Sequence, residues 1–358
     1  MTIAGLISGG VDSAVMVHRL FEQGHRPDLF YIKIGSGEEG VWDCSEEEDW
    51  EMATAVARRY GLQIEKVDLQ RDYWERVVGY IADRLRRGLT PNSDVMCNRL
   101  IKFGCFEERY GHAYDRIATG HYARTERDAE GRTWLCTAPD PVKDQTDFLS
   151  QLPPAVVRKA MFPVGELTKD EVRRIAAEQH LAPARRRDSQ GICFLGKLPF
   201  AELARQQLGE REGIFVEKET GNVLGKHRGY WFFTIGQRKG IGLGGGPWYV
   251  VKKDIRRNIV YLSRGYQTQA AYSDHFALAV PNWLTENPFP AAGDYAVKLK
   301  IRHTPEFFDA TLHVAASDHL RVTVAEPLQG VAPGQFCTLY DTQAHRCYGG
   351  AEIEVSNL

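Results

Sequence analysis

The sequence predicts an α/β first half followed by a β-rich second half. Strand-like and helix-like segments alternate up to residue 181, and short runs separated by Gly and Asn turns follow from about residue 213. Alternating strands and helices are typical of a parallel sheet covered on both faces. Several short strands in succession favour a small β-barrel or sandwich. At 358 residues the chain has room for two or three domains, which we place at 1–200, 201–270 and 271–358.

The elements of the first half follow from periodicity and end signals. Strands are predicted at 3–7, 29–34, 63–69 and 115–120, and a hairpin at 123–138 turns at "AEG". Helices are predicted at 12–23, 45–61, 73–87, 98–111 and 168–181. Gly61 is placed to end the second helix. Thr168 and Glu171 have capping-box spacing, which predicts the start of the last helix.

The second half is predicted to contain mainly strands. Turn residues divide 213–225 and 248–265 into short strands, and runs of alternating polarity occupy 295–303, 310–316, 320–326 and 335–341.

Composition limits the classes of function. With 43% hydrophobic and 26% charged residues and no long apolar run, the chain is expected to be soluble, without a membrane partner. Its start lacks a secretory signal, which favours the cytoplasm. The seven cysteines form no Cys-x-x-Cys pair, so we predict no metal site and no disulfide scaffold. A net charge of −2 gives no global sign of nucleic-acid binding. Several local basic segments nevertheless favour an anionic polymer: "DRLRRG", "RRR" at 185–187, "GQRKG" and "VKKDIRR".

The stretch "GLISGGVDSAV" at 5–15 predicts an anion site. It joins a strand to a helix, where backbone N–H groups meet the positive end of the helix dipole. Gly9 and Gly10 permit close approach, and Ser8 and Ser13 add hydroxyl donors. No Gly-Lys-Ser/Thr follows, which excludes the usual P-loop. The string resembles the loop of the ATP pyrophosphatases, which cleave ATP between its α and β phosphates. The loop alone leaves the second substrate open.

Two loop cysteines suggest sulfur chemistry. Cys97 is predicted just before a helix and three residues after Asp94, a position that lowers the pKa of a thiol. Cys193 lies among glycines downstream of three arginines, and cationic surroundings favour its thiolate. We interpret the remaining cysteines as structural: Cys44, Cys105, Cys136, Cys337 and Cys347. An adenylated oxygen is a leaving group that sulfur can displace, and a second cysteine can break a persulfide by thiol–disulfide exchange.

Six motifs in order resemble those of the tRNA-specific 2-thiouridylases, which modify the wobble uridine. They are "SGGVDS", "TPNSDVMCNRLIKF", "ATGHYAR", "KDQTDFL", "DSQGICFLG" and "TIGQRKGIGLGG". The resemblance implies an adenine nucleotide α-hydrolase-like domain of the ATP pyrophosphatase (PP-loop) type, a small central domain and a C-terminal β-barrel. The tRNA anticodon arm would lie across them.

The resemblance also implies roles for individual residues. ATP, with Mg²⁺, would be held by Gly5, Leu6, Ile7, Ser8, Gly9, Gly10, Val11, Asp12, Ser13, Ile32 and Gly120. Cys193 would carry a persulfide delivered by a sulfur-donor protein, Cys97 would resolve it and could form a disulfide with it, and Asp94 would be the general acid/base. Asn92, Ser93 and Asp94 would meet the target base. Contacts with tRNA would come from His121, Lys143, Asp144, Gln145, Arg302, His303 and Gln335.

The chain departs from the usual family residues at Ser93, Leu100, Asp147 and Gln190. These differences bear on which tRNAs are read and which partner delivers sulfur. Two other interpretations of the sequence stay open. One is an ATP pyrophosphatase acting on a small molecule, which has no need of two loop cysteines. The other is a tRNA-binding paralogue without catalysis, which could dispense with either cysteine.

Overall fold

The first half forms a parallel sheet in the computed structural model, which describes residues 1–35, 46–187, 200–265, 272–315 and 320–354. The described residues of this half of the chain contain seven strands, which are β1 (Ile3–Leu6), β2 (Asp28–Lys33), β3 (Ile64–Asp68), β4 (Arg116–Ala118), β5 (Arg124–Arg127), β6 (Thr133–Cys136) and β7 (Ala160–Met161). Five of them pair in parallel in the order β3-β2-β1-β4-β7. The other two, β5 and β6, form the predicted hairpin.

The helices of the first half cover this sheet. They are α1 (Val11–Glu22), α2 (Glu46–Tyr60), α3 (the consecutive segments Gln70–Asp72, Tyr73–Val78 and Gly79–Arg86), α4 (Ser93–Cys97, Asn98–Cys105 and Phe106–Arg109), α5 (Pro154–Lys159), α6 (Lys169–Glu178) and α7 (Phe200–Leu208). The middle segments of α3 and α4 are π-helical. Short 3₁₀ turns lie at Gly111–Ala113, Asp147–Leu149, Ala182–Arg185 and Tyr230–Phe232.

The predicted helix signals are present, but two helices start at least three residues earlier than predicted: α3 begins at Gln70, three residues before its predicted start, and α4 is displaced further. The capping box forms, since Thr168 accepts from the Glu171 backbone and Glu171 accepts from the Thr168 backbone. Gly61 follows α2 with a φ of +62°, a conformation that favours glycine. The prediction that helix α4 starts at residue 98 is wrong: it begins five residues earlier, at Ser93. Helices α5 and α7 were not predicted.

The central region is a four-stranded sheet. Its strands are β8 (Gly213–Glu217), β9 (Val223–His227), β10 (Trp248–Asp254) and β11 (Ile259–Arg264), in the order β10-β11-β8-β9. Its apolar residues, such as Phe215 and Val250, belong to the same buried cluster as Phe30 and Val77 of the first half. The central sheet is therefore packed against the first half.

The last region is an antiparallel sheet that recruits the hairpin from the first half. Its strands are β12 (Tyr272–Leu278), β13 (Asn282–Trp283), β14 (Gly293–Lys300), β15 (Phe308–Val314), β16 (Leu320–Gln329), β17 (Phe336–Tyr340) and β18 (Arg346–Glu352). The order is β12-β16-β15-β14-β17-β18-β6-β5, with β13 paired to β18. The predicted fold class, a parallel α/β domain followed by β-rich regions, is confirmed. The sequence did not reveal that β6 pairs with β18. Within the described ranges, no helix is long and apolar enough to cross a bilayer.

Candidate active site

The opening loop lies at the carboxyl edge of the parallel sheet. It follows β1, the central strand, while Ile32 lies near the end of β2 and Gly120 lies just beyond β4. The chain order reverses between β1 and β4, and open parallel sheets bind ligands at such a point. The structure therefore brings together the three segments that the sequence analysis assigned to ATP.

Hydrogen bonds between two serines shape this loop. The Ser13 hydroxyl donates to Gly10 O at 3.0 Å and accepts from Ser8 N at 3.2 Å. The Ser8 hydroxyl accepts from Gly10 N at 3.4 Å. Ser13 is 5% exposed, so its hydroxyl organises the loop, which differs from its expected role as a donor to phosphate. The first backbone amides of helix α1 have no acceptor within the helix, so these N–H groups can donate to a bound anion.

Two glycines allow the loop to pack closely on its neighbours. Gly9 has a φ of +75°, and a Cβ there would lie 2.3 Å from Asp49 O in α2. A Cβ at Gly120 would lie 2.8 Å from Ser13 N. Both contacts are with backbone, which cannot move aside. Gly10 has only the Ser8 hydroxyl near its missing Cβ, at 3.4 Å, so the open side of the loop is at Gly10. This fits an approaching phosphate.

Lys169 is a site residue that the sequence analysis missed. It is the first residue of α6, and its ammonium donates to Asp12 Oδ1 at 2.6 Å. The Tyr122 hydroxyl donates to the same oxygen at 2.7 Å. The Lys169 side chain is only 11% exposed. A cation is thus held beside the anion loop, where charge-assisted hydrogen bonds to phosphate would be strong.

Arg186 supports the loop from the other side. Its guanidinium donates to Gly9 O at 3.1 Å and pairs with Asp49 and with Glu48. This arginine belongs to the "RRR" segment that the sequence suggested as a surface for an anionic polymer. Arg186 instead stabilises the loop, whereas Arg185 and Arg187 are exposed.

Asp94 and Cys97 lie in the first turns of α4. Asn92 is the N-cap residue, and its side chain accepts from Val95 N at 3.2 Å. The prediction that Cys97 precedes the helix is therefore wrong, because the Asn92 cap starts the helix before it. Cys97 is 3% exposed and Ser93 is 7% exposed. The π-helical segment of α4 begins immediately after Cys97, a feature that is frequent at functional sites.

Asp94 has the electrostatic setting of a candidate acid/base. Burial raises its pKa above the ordinary carboxyl value, and the charge of Asp147 adds to this. Lys102 and His303 act in the opposite direction. Asp147 lies 3.2 Å from the His303 ring nitrogen Nδ1, and His303 stacks on Phe148 with 4.5 Å between ring centroids. The structure thus gathers Asp94 and His303 near one another, together with Asp147 and Lys102, which sequence reasoning did not assign to the site.

His121 lies against the same helix in a buried setting. It is 9% exposed, its Nδ1 is 2.7 Å from the Thr119 hydroxyl, and its ring lies 6.3 Å from that of Phe103. Burial holds its pKa well below the ordinary value, and the charge of Lys102 lowers it further. His121 is therefore neutral at physiological pH.

Comparison with known proteins identifies the family. Family models described as the tRNA methyl transferase HUP domain, the tRNA methyl transferase PRC-barrel domain and the aminomethyltransferase beta-barrel domain match residues 1–197, 202–264 and 273–353. The tRNA-specific 2-thiouridylase MnmA 1 of Bacteroides thetaiotaomicron is 55% identical over 99% of both chains. The tRNA-specific 2-thiouridylase MnmA of Porphyromonas gingivalis is 54% identical, again over 99% of both chains. The chain belongs to the tRNA-specific 2-thiouridylase family.

In this 2-thiouridylase-family chain, the "KDQ" loop rests on the C-terminal sheet. Asp144 is 1% exposed and pairs with the equally buried Lys300 of β14 at 3.1 Å. It also accepts from Ala138 N at 3.1 Å and from the Thr146 hydroxyl at 2.8 Å. The Asp144 carboxylate is thus buried between the two regions and used within the protein, and its contact with tRNA stays a prediction.

The two neighbours of Asp144 in the chain lie in different settings. Gln145 is tied to Tyr122, since its Oε1 accepts from Tyr122 N at 3.0 Å and its own N–H donates to Tyr122 O at 2.9 Å. Lys143 is half-buried at the loop surface. Arg302, on the loop after β14, is exposed.

Gln335 holds the loop that leads into α4. Its Nε2 donates to Thr90 O at 3.2 Å and to Pro91 O at 3.0 Å, while its Oε1 accepts from Asn92 Nδ2 at 3.2 Å. The amides of Gln335 and Asn92 are thus used within the protein, although the family resemblance implies contact with tRNA for both.

Not all of the cysteines lie in the described part of the chain. Cys193 lies outside the described residues, as does Cys44. Four other cysteines are completely buried, and burial raises the pKa of each thiol, to about 12 at Cys136: Cys105, Cys136, Cys337 and Cys347. Their burial fits the prediction that they are structural.

Within the described ranges, one group of side chains has ligand atoms close enough for a metal ion, Glu126, Cys136 and His345. His345 Nε2 lies 2.9 Å from Glu126, and the Arg124 guanidinium lies within 3.4 Å of both partners. The hydrogen bonds are satisfied without an ion, and the arginine charge disfavours a cation.

Proposed function

We propose that the protein converts the wobble uridine of tRNA to 2-thiouridine in an ATP-dependent sulfur transfer. The observation that carries the proposal is the full-length similarity, at 55% identity, to a tRNA-specific 2-thiouridylase. The glycine loop at the switch point of the sheet, with Lys169 beside it, supports ATP as the activating substrate. The words "methyl transferase" in two family descriptions carry less weight than the names of relatives that match along the whole chain.

The residues divide the chemistry into activation and sulfur delivery. The amides of the loop and Lys169 would hold the phosphates of ATP, and Ile32 would provide an apolar wall for the base. Mg²⁺ would accompany ATP, since the Asp12 carboxylate is a ligand type that this ion prefers. The uridine O2 attacks the α-phosphorus and pyrophosphate leaves. The terminal sulfur of the Cys193 persulfide then attacks C2, and AMP leaves.

The final step leaves the sulfur on the base and the protein in an oxidised form. The Cys97 thiolate attacks the Cys193 sulfur, which breaks the S–S bond and leaves the transferred sulfur on the base. A Cys97–Cys193 disulfide forms, and a dithiol reductant must reduce it before the next cycle. Asp94 would act as the general acid/base that takes a proton from the target base and returns it. The target base must leave its stack to reach this site. We propose that the reaction takes place in the cytoplasm, where both tRNA and ATP are present.

The tRNA would lie across all three regions. Lys143 belongs to the first half, Arg302 to the last, and Arg238 and Lys239 to an exposed glycine-rich loop of the central region. A sulfur-donor protein would deliver the persulfide to Cys193.

Pyrophosphate release from ATP tests the proposal against its rivals. We expect release to require a tRNA with uridine at the wobble position and to be absent with a matched tRNA that carries cytidine there. Release without tRNA would indicate a small-molecule synthetase. No release with any tRNA would indicate a paralogue without catalysis.

A further inference from the structure

The segment between α3 and α4 is where all three regions of the chain meet. From the central region, the Tyr230 hydroxyl donates to Arg86 O at 2.6 Å, and a Cβ on Gly88 would lie 2.5 Å from Ile255 Cγ2. From the C-terminal region, Pro333 O accepts from Thr90 N at 2.8 Å. The chain that leads into the proposed catalytic helix is thus enclosed by both of the other regions.

The C-terminal region approaches this segment so closely that the contact requires a glycine. Gly334 has a φ of +92°, and a Cβ there would lie 2.8 Å from Leu89 Cβ and 2.9 Å from the backbone of Thr90. The neighbouring Gln335 then places its side-chain amide against three consecutive residues, 90–92. Both N–H donors of that amide and one lone pair of its oxygen are used.

The contact with Asn92 reaches the start of helix α4. Asn92 donates to Gln335 through Nδ2 and caps the helix through Oδ1. The two functions lie on one planar amide, so Gln335 fixes the orientation that keeps the oxygen towards Val95 N. Asp94 and Cys97 lie within five residues of this cap.

We propose that Gln335 is a positioning residue that acts through the 90–92 loop to hold Asp94 and Cys97 for sulfur transfer. This inference rests on the proposed function for its catalytic consequence. It gives the C-terminal region a part in catalysis in addition to binding. A contact in which the Gln335 amide donates to tRNA would require its hydrogen bond to Thr90 O or to Pro91 O to break.

The test compares Gln335→Ala and Gln335→Glu with Gln343→Ala, an exposed glutamine of the same region. The glutamate cannot donate to Thr90 O or Pro91 O. We expect kcat for 2-thiouridine formation to fall on the order of tenfold to a hundredfold in both Gln335 variants, with unchanged tRNA affinity. Gln343→Ala should match the parent. Unchanged kcat with weakened tRNA affinity would overturn the inference in favour of direct contact.

Hydrogen exchange separates this inference from the proposed function. In protein without tRNA or ATP, both Gln335 variants should speed amide exchange in peptides that cover residues 89–97, and Gln343→Ala should not. Asn92→Asp keeps an oxygen cap but loses the donor to Gln335, so it should reproduce the faster exchange. Parent-like exchange in all three variants would overturn the positioning role, even if the parent makes no 2-thiouridine.

Discussion

Lys169 is the clearest example of a candidate site residue that the structure shows and the sequence did not predict. Lys169→Met removes the cation beside the anion loop and leaves Asp12 without its ion pair. We expect pyrophosphate release to slow. Removing one preorganised charged donor usually costs about 2–4 kcal/mol of transition-state stabilisation. The matched control is Arg174→Met, an exposed cation of the same helix. Equal rates for Lys169→Met and the parent would remove Lys169 from the site.

Asp94 gives the site a defined pH dependence. Its pKa is raised by burial, so a rate that needs the carboxylate falls with decreasing pH at a higher pH than for an ordinary aspartate. Lys102 lowers this pKa, so Lys102→Met should raise it further and move the acidic limb of kcat/KM for thiolation to higher pH. A shift towards lower pH, or no shift, would contradict this assignment. Asp94→Asn should abolish the limb together with most activity.

Helix α6 connects local sequence signals to the site at the scale of elements. Thr168→Ala removes a cap that directly precedes Lys169 and should lower the free energy of unfolding by about 1 kcal/mol. It should also raise KM for ATP, because the first turn positions the lysine. Thr168→Ser keeps the hydroxyl and is the control. Urea unfolding and ATP kinetics measure both effects, and an unchanged Thr168→Ala protein would exclude the cap.

Some elements could be predicted because their signals are local. Thr168 and Glu171 are three residues apart, and the opening strand, loop and helix occupy one continuous stretch. The start of α4 was missed because "PNS" favours a turn, and the same Asn side chain also caps helices. The Lys169–Asp12 pair joins residues 157 positions apart. The pairing of β6 with β18 likewise depends on tertiary contacts that no local pattern encodes.

At the scale of the whole molecule, the Asp144–Lys300 pair ties the catalytic half to the C-terminal sheet. Both side chains are essentially inaccessible, at 1% and 0% exposure. Lys300→Met leaves a buried carboxylate uncompensated and should destabilise the protein by about 3–5 kcal/mol. Asp144→Asn combined with Lys300→Met should recover part of that loss. Equal stability of the parent and Lys300→Met in urea unfolding would contradict the buried pair.

Binding of tRNA across the three regions should depend on salt. Each phosphate neutralised by a lysine or arginine releases counterions, so affinity should fall steeply as salt rises. Lys143→Ala and Arg238→Ala should each weaken binding and flatten this slope, because the first lies in the catalytic half and the second in the central region. ATP affinity should not change. Binding that does not respond to salt would contradict a shared tRNA surface.

The most direct test of the central claim is a reconstituted thiolation reaction analysed by nucleoside mass spectrometry. Purified protein is incubated with ATP, Mg²⁺, a persulfide donor, a dithiol reductant and unmodified tRNA, and the digested nucleosides are quantified. We predict one 2-thiouridine per tRNA with the parent, and none with Cys97→Ser or Cys193→Ser, although both variants still release pyrophosphate. The absence of 2-thiouridine with the parent, or its formation by Cys193→Ser, would contradict the account.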